Sequence, residues 1–120
     1  MQVYASRDSV CAGDDSDAPH GQRFSFPDTY SVMDVVAAIV KSHYLASISG
    51  GHATWSAVSG FPIAVIAQQL PEPLQISWRP IDLAECEHKS GVLQLHFNYH
   101  LQKDPDDVLK VLRELKLHAR

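Results

Sequence analysis

Seven histidines in 120 residues invite a search for chemistry, and their spacing decides what they can do. His96 and His100 share one face of a predicted strand, but four strand residues set them roughly 13 Å apart. A metal ion needs each ligand within about 2 Å, so these two do not share one. Cys86-Glu87-His88 offers adjacent ligands without a second pair at zinc-like spacing. The acidic run Asp14-Asp15-Ser16-Asp17 has two registers in which a calcium loop could begin. Such a loop needs glycine at its sixth position and glutamate at its twelfth. Counting from Asp15 places His20 and Phe26 there; counting from Asp14 places Pro19 and Ser25. Both registers fail. No metal and no cofactor is expected.

Nucleophilic catalysis needs a serine or cysteine beside a base. The chain has no G-x-S-x-G elbow, phosphate-binding loop or dinucleotide fingerprint. The turn Ser49-Gly50-Gly51-His52 has the composition of an anion cradle, but also of an ordinary hairpin turn or bulge. Gln94, His96, Asn98 and His100 form a polar strand face on which paired histidines can work as acid and base. Trp55 or Trp78 would then stack a base. No lysine or arginine cluster lies near that face in sequence, which counts against RNA. The chain therefore reads as a non-enzyme. A small histidine-dependent RNA-processing or hydrolytic enzyme is the alternative, beside a non-enzymatic ligand-binding or dimerisation module.

The elements that must position these residues fit one domain spanning 1–120. Hydrophobic residues make up 45% and charged residues 20%, enough for a core without staples. The net charge of −4 argues against nucleic acid as a partner and suits a basic protein. Two cysteines, Cys11 and Cys86, do not make a disulfide framework. No apolar run approaches the ~20 residues of a membrane span, and residues 1–7 carry no signal-peptide pattern. A cytoplasmic location and no membrane partner are expected.

Residues 2–6 and 23–27 predict two strands, with Phe24 and Phe26 on one face. Ser31 and Asp34 have the spacing of a capping box, with Tyr30 and Val35 as its staple. Val32, Val35, Val36, Ile39 and Val40 give the helix an apolar stripe. Strands are predicted at 45–49, 52–58, 62–68 and 74–78, with 81–91 a polar loop containing a turn of helix. Ile63-Ala64-Val65-Ile66-Ala67 is apolar on both faces and belongs centrally in the sheet. Residues 92–101 alternate most clearly, with Leu93, Leu95, Phe97, Tyr99 and Leu101 on the buried side. A last helix starts at Asp104-Pro105 and buries Val108, Val111, Leu112 and Leu115.

The fold class is thus α+β, a twisted, mostly antiparallel sheet in the order ββαβββ(β)βα with two helices packed on one face. Val36, Ile39, Val65, Leu95, Phe97, Val111 and Leu112 should share one core. The opening ββα segment resembles the start of a β-grasp domain in element order.

Residues 3–15, VYASRDSVCAGDD, together with Ser49-Gly50-Gly51-His52-Ala53-Thr54-Trp55 and 63–69, resemble small bacterial immunity proteins of contact-dependent inhibition and other polymorphic toxin systems. The resemblance implies direct neutralisation of one cognate toxin domain, commonly a nuclease, in the cytoplasm. A nuclease site that attracts phosphate is basic, so a carboxylate-bearing inhibitor gains encounter rate and specificity. Asp8, Asp14, Asp15, Asp17 and His20, on or beside a long loop, are the first candidate partner-binding residues. Gln94, His96, Asn98 and His100 are the second-choice surface. The purified chain is expected to hold no stoichiometric metal and to turn over neither RNA nor DNA. Elemental analysis and a nuclease assay check this, and one zinc per chain, or RNase activity lost in His96→Ala, would overturn it.

Overall fold

The computed structural model describes residues 1–11, 20–46, 48 and 50–118, with side chains through residue 115. Seven strands and two helices follow in order: β1 (Gln2–Arg7), β2 (Gln22–Ser25), α1 (Val32–Lys41), β3 (Thr54–Val58), β4 (Pro62–Ala67), β5 (Leu74–Gln75), β6 (His88–Lys89), β7 (Val92–Tyr99) and α2 (Pro105–His118). One sheet contains every strand in the order β2-β1-β7-β3-β4-β5, with β6 pairing against the start of β7. Its β1–β7 pair is parallel and the others are antiparallel. The expected α+β class with a mostly antiparallel sheet and two helices is what forms.

Alternation assigns the two faces. Val3, Ala5 and Arg7 of β1 lie opposite Leu93, Leu95 and Phe97 of β7, and all six are buried. Ala57 continues that row opposite Phe97, and Trp55 lies opposite Tyr99. Ala64 and Ile66 extend it through β4. Helix α1 covers this face with Val32, Val35, Val36 and Ile39, which complete the main core. Its β-branched residues are weak helix formers, so packing on the sheet supplies much of its stability. The start is capped as expected: Asp34 N donates to Ser31 Oγ at 3.1 Å, and Ser31 N donates to Asp34 Oδ2 at 3.0 Å. Tyr30 stacks on Phe26, with ring centres 5.6 Å apart.

The two helices do not share a face. Val65 alternates with Ala64 and Ile66, so its side chain leaves the sheet on the other side. There it forms a second, smaller cluster with Ile76 and Val108, flanked by Leu74, Leu109 and Leu112. The strand β4 is apolar on both sides and needs cover on both, and α2 supplies the second cover. The expected single core is therefore two: Val36, Ile39, Leu95 and Phe97 lie in one, Val65 and Leu112 in the other. Val111 and Leu115, expected to be buried, are 54% and 58% exposed. The second cluster is too narrow to receive the whole stripe.

The start of α2 is as predicted, with Asp106 N donating to Asp104 Oδ1 at 2.9 Å. Arg113 ties its far flank to the sheet edge, donating through Nε to Ile76 O and through Nη2 to Gln75 O, both at 3.0 Å.

Several boundaries differ. Leu45, Ala46 and Ile48 form no strand and pack against the main core instead. Ser47 and Ser49 of that predicted strand lie outside the described residues. The predicted 74–78 strand contracts to β5. Within 81–91 the turn of helix is a 3-10 turn at Leu83–Glu85, and β6 is added. Ser90 and Gly91, at φ 52° and 77°, form the two-residue turn into β7, a conformation suited to hairpins. Cys86, read as part of a polar connection, is buried in the main core, and Cys11 is exposed.

Truncating Leu95 to alanine should destabilise the fold by about 2–5 kcal/mol, whereas Leu115→Ala should stay within about 0.5 kcal/mol. Urea unfolding measures both, and equal losses would contradict this division of α2 and β7.

Candidate functional site

The parallel register sets Ser6 of β1 opposite His96 of β7, on the face away from α1. Ser6 Oγ and His96 Nδ1 are 2.8 Å apart. On the ring's other side, His96 Nε2 is 2.8 Å from Asp8 Oδ1. Asp8 is itself fixed by the sheet. Its second carboxylate oxygen accepts from Tyr99 N at 2.8 Å, and its backbone N donates to Phe97 O at 3.0 Å. A carboxylate only accepts, so Nε2 must carry the hydrogen in that bond. In the neutral ring Nδ1 then accepts from the Ser6 hydroxyl. A directed Ser6→His96→Asp8 chain results, with the His96 and Asp8 side chains 37% and 41% exposed.

The arrangement holds a hydroxyl, an imidazole and a carboxylate in the order used by nucleophile, base and orienting group. It is equally an ordered set of polar groups at a surface. A cleft of about 370 Å³ opens beside it, lined by Ser6, Glu87, His88, Lys89, Gln94 and His96 among others.

A second serine–histidine pair lies along the same strip. Ser56 Oγ and His100 Nε2 are 2.8 Å apart, and Ser56 is 1% exposed. Burial holds the His100 pKa below its ordinary value; the charge of Lys103 adds to this and that of Asp8 opposes it. His100 also borders a smaller hollow of about 150 Å³ against α2, lined by Lys103, Asp107, Val108, Val111 and Leu112.

The two surfaces expected to compete meet at Asp8. This first residue of the candidate loop is bonded to His96 of the polar strand face. Gln94 and Asn98 are half-buried on the same strip. Gln94 Nε2 donates to Val92 O at 3.0 Å. His20 is anchored separately. Its Nε2 lies 3.2 Å from Ser9 Oγ, and its carbonyl accepts from the Tyr44 hydroxyl. Asp14, Asp15 and Asp17 lie outside the described residues.

Ser6 and Ser56 were not singled out from the sequence. Alternation in β1 does put Ser6 on the polar side, but only the parallel register brings it to His96. Among the described residues no three of His, Cys, Asp and Glu converge as metal ligands would. No helix there is long and apolar enough to cross a membrane.

His100 generates a pH prediction. In the unfolded chain its ring protonates near the ordinary value of about 6.5, and in the folded chain only at lower pH. Its contribution is thus present above that value and declines as pH falls through the window below it. Urea midpoints at about pH 7.5 and about pH 5 should fall less steeply in His100→Gln than in the wild type. Identical declines would contradict the assignment.

Compared with protein-family models, curated proteins and solved structures, the chain gives no match to any of them.

Proposed function

We propose that this chain is an immunity protein that binds and neutralises a cognate bacterial toxin domain, a basic one and commonly a nuclease, in the cytoplasm. The observation that carries the reading is the Asp8 junction. One carboxylate, held by His96 and Tyr99 N, fixes Asp8, which precedes the acidic run in sequence, on the polar strip of β7. A partner docking there meets an anchored carboxylate and ordered histidine and serine groups, and Asp14, Asp15 and Asp17 follow in the sequence. Pre-ordered groups lose less freedom on binding, which favours affinity. The acidic segment favours rapid encounter with a basic active site. The resemblance of 3–15, 49–55 and 63–69 to immunity proteins points the same way. In this reading the chain is not an enzyme, takes no cofactor and binds neither nucleic acid nor membrane.

A second reading rests on the Ser6–His96–Asp8 chain and the cleft beside it: a small hydrolase with Ser6 as nucleophile and His96 as its base. Acyl transfer would also need donors around the developing oxyanion, and Lys89 and His88 bring side-chain nitrogens to the cleft.

Co-expression with a candidate toxin domain, sought in the neighbouring reading frame, tests the first reading. Growth should be restored and a one-to-one complex recovered. Replacing Asp14, Asp15 and Asp17 together with Asn should slow association roughly ten-fold at low salt and weaken its salt dependence. Unchanged rates in that variant, with a clear loss in a His96/His100 double alanine variant, would move the interface onto the strand. Unchanged rates in both would remove the proposed surface. Hydrolysis of an activated ester or of RNA by the pure chain, lost in Ser6→Ala, would establish the second reading instead.

A further inference from the structure

The described part of the sheet face that carries Ser6 and His96 continues toward the β2 edge, where its character changes. Register places Arg23 opposite Tyr4, and Tyr4 opposite Gln94. The β6–β7 turn brings Lys89 and Ser90 to the same place, Lys89 being paired with Val92. Together these residues line a second cleft of about 370 Å³. Arg23 and Lys89 are 66 positions apart in sequence, which is why no basic cluster is visible there.

The lining is one-sided chemically. Among the described residues the lining side chains carry a guanidinium, an ammonium and two hydroxyls, and no carboxylate. Neither cation is paired with a carboxylate among the described residues. Both cations are exposed and so available to an anion. The walls are fixed by the fold. Tyr4 packs so closely on Gly21 that a Cβ there would collide with its hydroxyl. The positive φ values of Ser90 and Gly91 set the turn that carries Lys89. The cleft is within the size range of small-molecule sites. It shares Lys89 and Gln94 with the cleft beside Ser6 and His96, so the two adjoin.

We propose that the Tyr4–Arg23–Lys89–Ser90 cleft binds the phosphate group of a small phosphate monoester, whose organic part extends toward Ser6 and His96. Arg23 supplies a fork of donors matched to phosphate oxygens, and Lys89 a point charge. The phosphate end of the site does not rest on the toxin-binding reading, while the organic end reaches the strip that reading uses.

The test is calorimetric titration of the purified chain with adenosine monophosphate, adenosine and orthophosphate, accompanied by amide NMR. The monophosphate should bind one-to-one, and adenosine at least roughly ten-fold more weakly. Amide shifts should appear at Ser90 and Gln94 and extend to Ser6 and His96. Arg23→Gln and Lys89→Gln, both at exposed positions, should each weaken monophosphate binding roughly ten-fold while leaving the remaining amide spectrum folded. Orthophosphate should compete at the same residues. No binding at millimolar concentration, or binding unchanged in the double variant, would overturn the proposal. Tighter binding of a single-stranded oligonucleotide, growing with its length, would overturn it in favour of a nucleic-acid strip.

Discussion

The structure depends on the parallel pairing of β1 with β7. This joins residues near the start of the chain to residues just before the last helix, with every other strand between them in sequence. Such pairing is possible only through a long crossover, here made of β2, α1 and β3 to β6. Register is not free to slip. A shift of one residue would turn Val3 and Ala5 out of the core and drive Tyr4 and Ser6 into it. Burial of Leu93, Leu95 and Phe97 beneath α1 therefore also determines which hydroxyl meets His96. The core pattern on one face and the polar pattern on the other are one constraint seen from two sides.

That constraint explains the unequal character of the two faces. The α1 side is filled by large apolar residues from four strands, and aromatic contacts continue it outward from Phe97 through Tyr44 to Phe24. On the other side α2 covers β4 and leaves the described part of β1 and β7 to polar side chains. The polar strip is ordered by internal hydrogen bonds to Asp8, Ser6 and Ser56. Val111 and Leu115 of α2 are exposed apolar groups, and past β5 Trp78 is 80% exposed with Arg113 3.8 Å over its ring. Arginine and tryptophan together are the residue types that dominate binding surfaces.

Local signals were the most legible part of the sequence. Ser31 and Asp34 make the capping box that their spacing implies, Asp104 and Pro105 begin α2, and Leu93, Leu95 and Phe97 alternate as predicted. What needed tertiary information was not legible. The run 63–67 is apolar on both faces, so nothing in it says which face receives which helix. The stripe on α2 implies a partner surface but not its width, so Val111 and Leu115 were placed inside. His96 and Asp8 were both selected, yet as rivals. Their contact rests on a strand register that joins partners 88 positions apart. Ser6, and the meeting of Arg23 with Lys89, come from the same pairing.

Asp8 and Ser6 hold His96 in one orientation and one tautomer. Nitrogen-15 NMR of the His96 imidazole tests this directly. In the neutral ring Nε2 should carry the proton and Nδ1 should be the bare, hydrogen-bonded nitrogen. Asp8→Ala should abolish that preference while the amide spectrum of β7 stays dispersed. A neutral ring protonated at Nδ1, or a tautomer ratio indifferent to both Asp8→Ala and Ser6→Ala, would contradict the account.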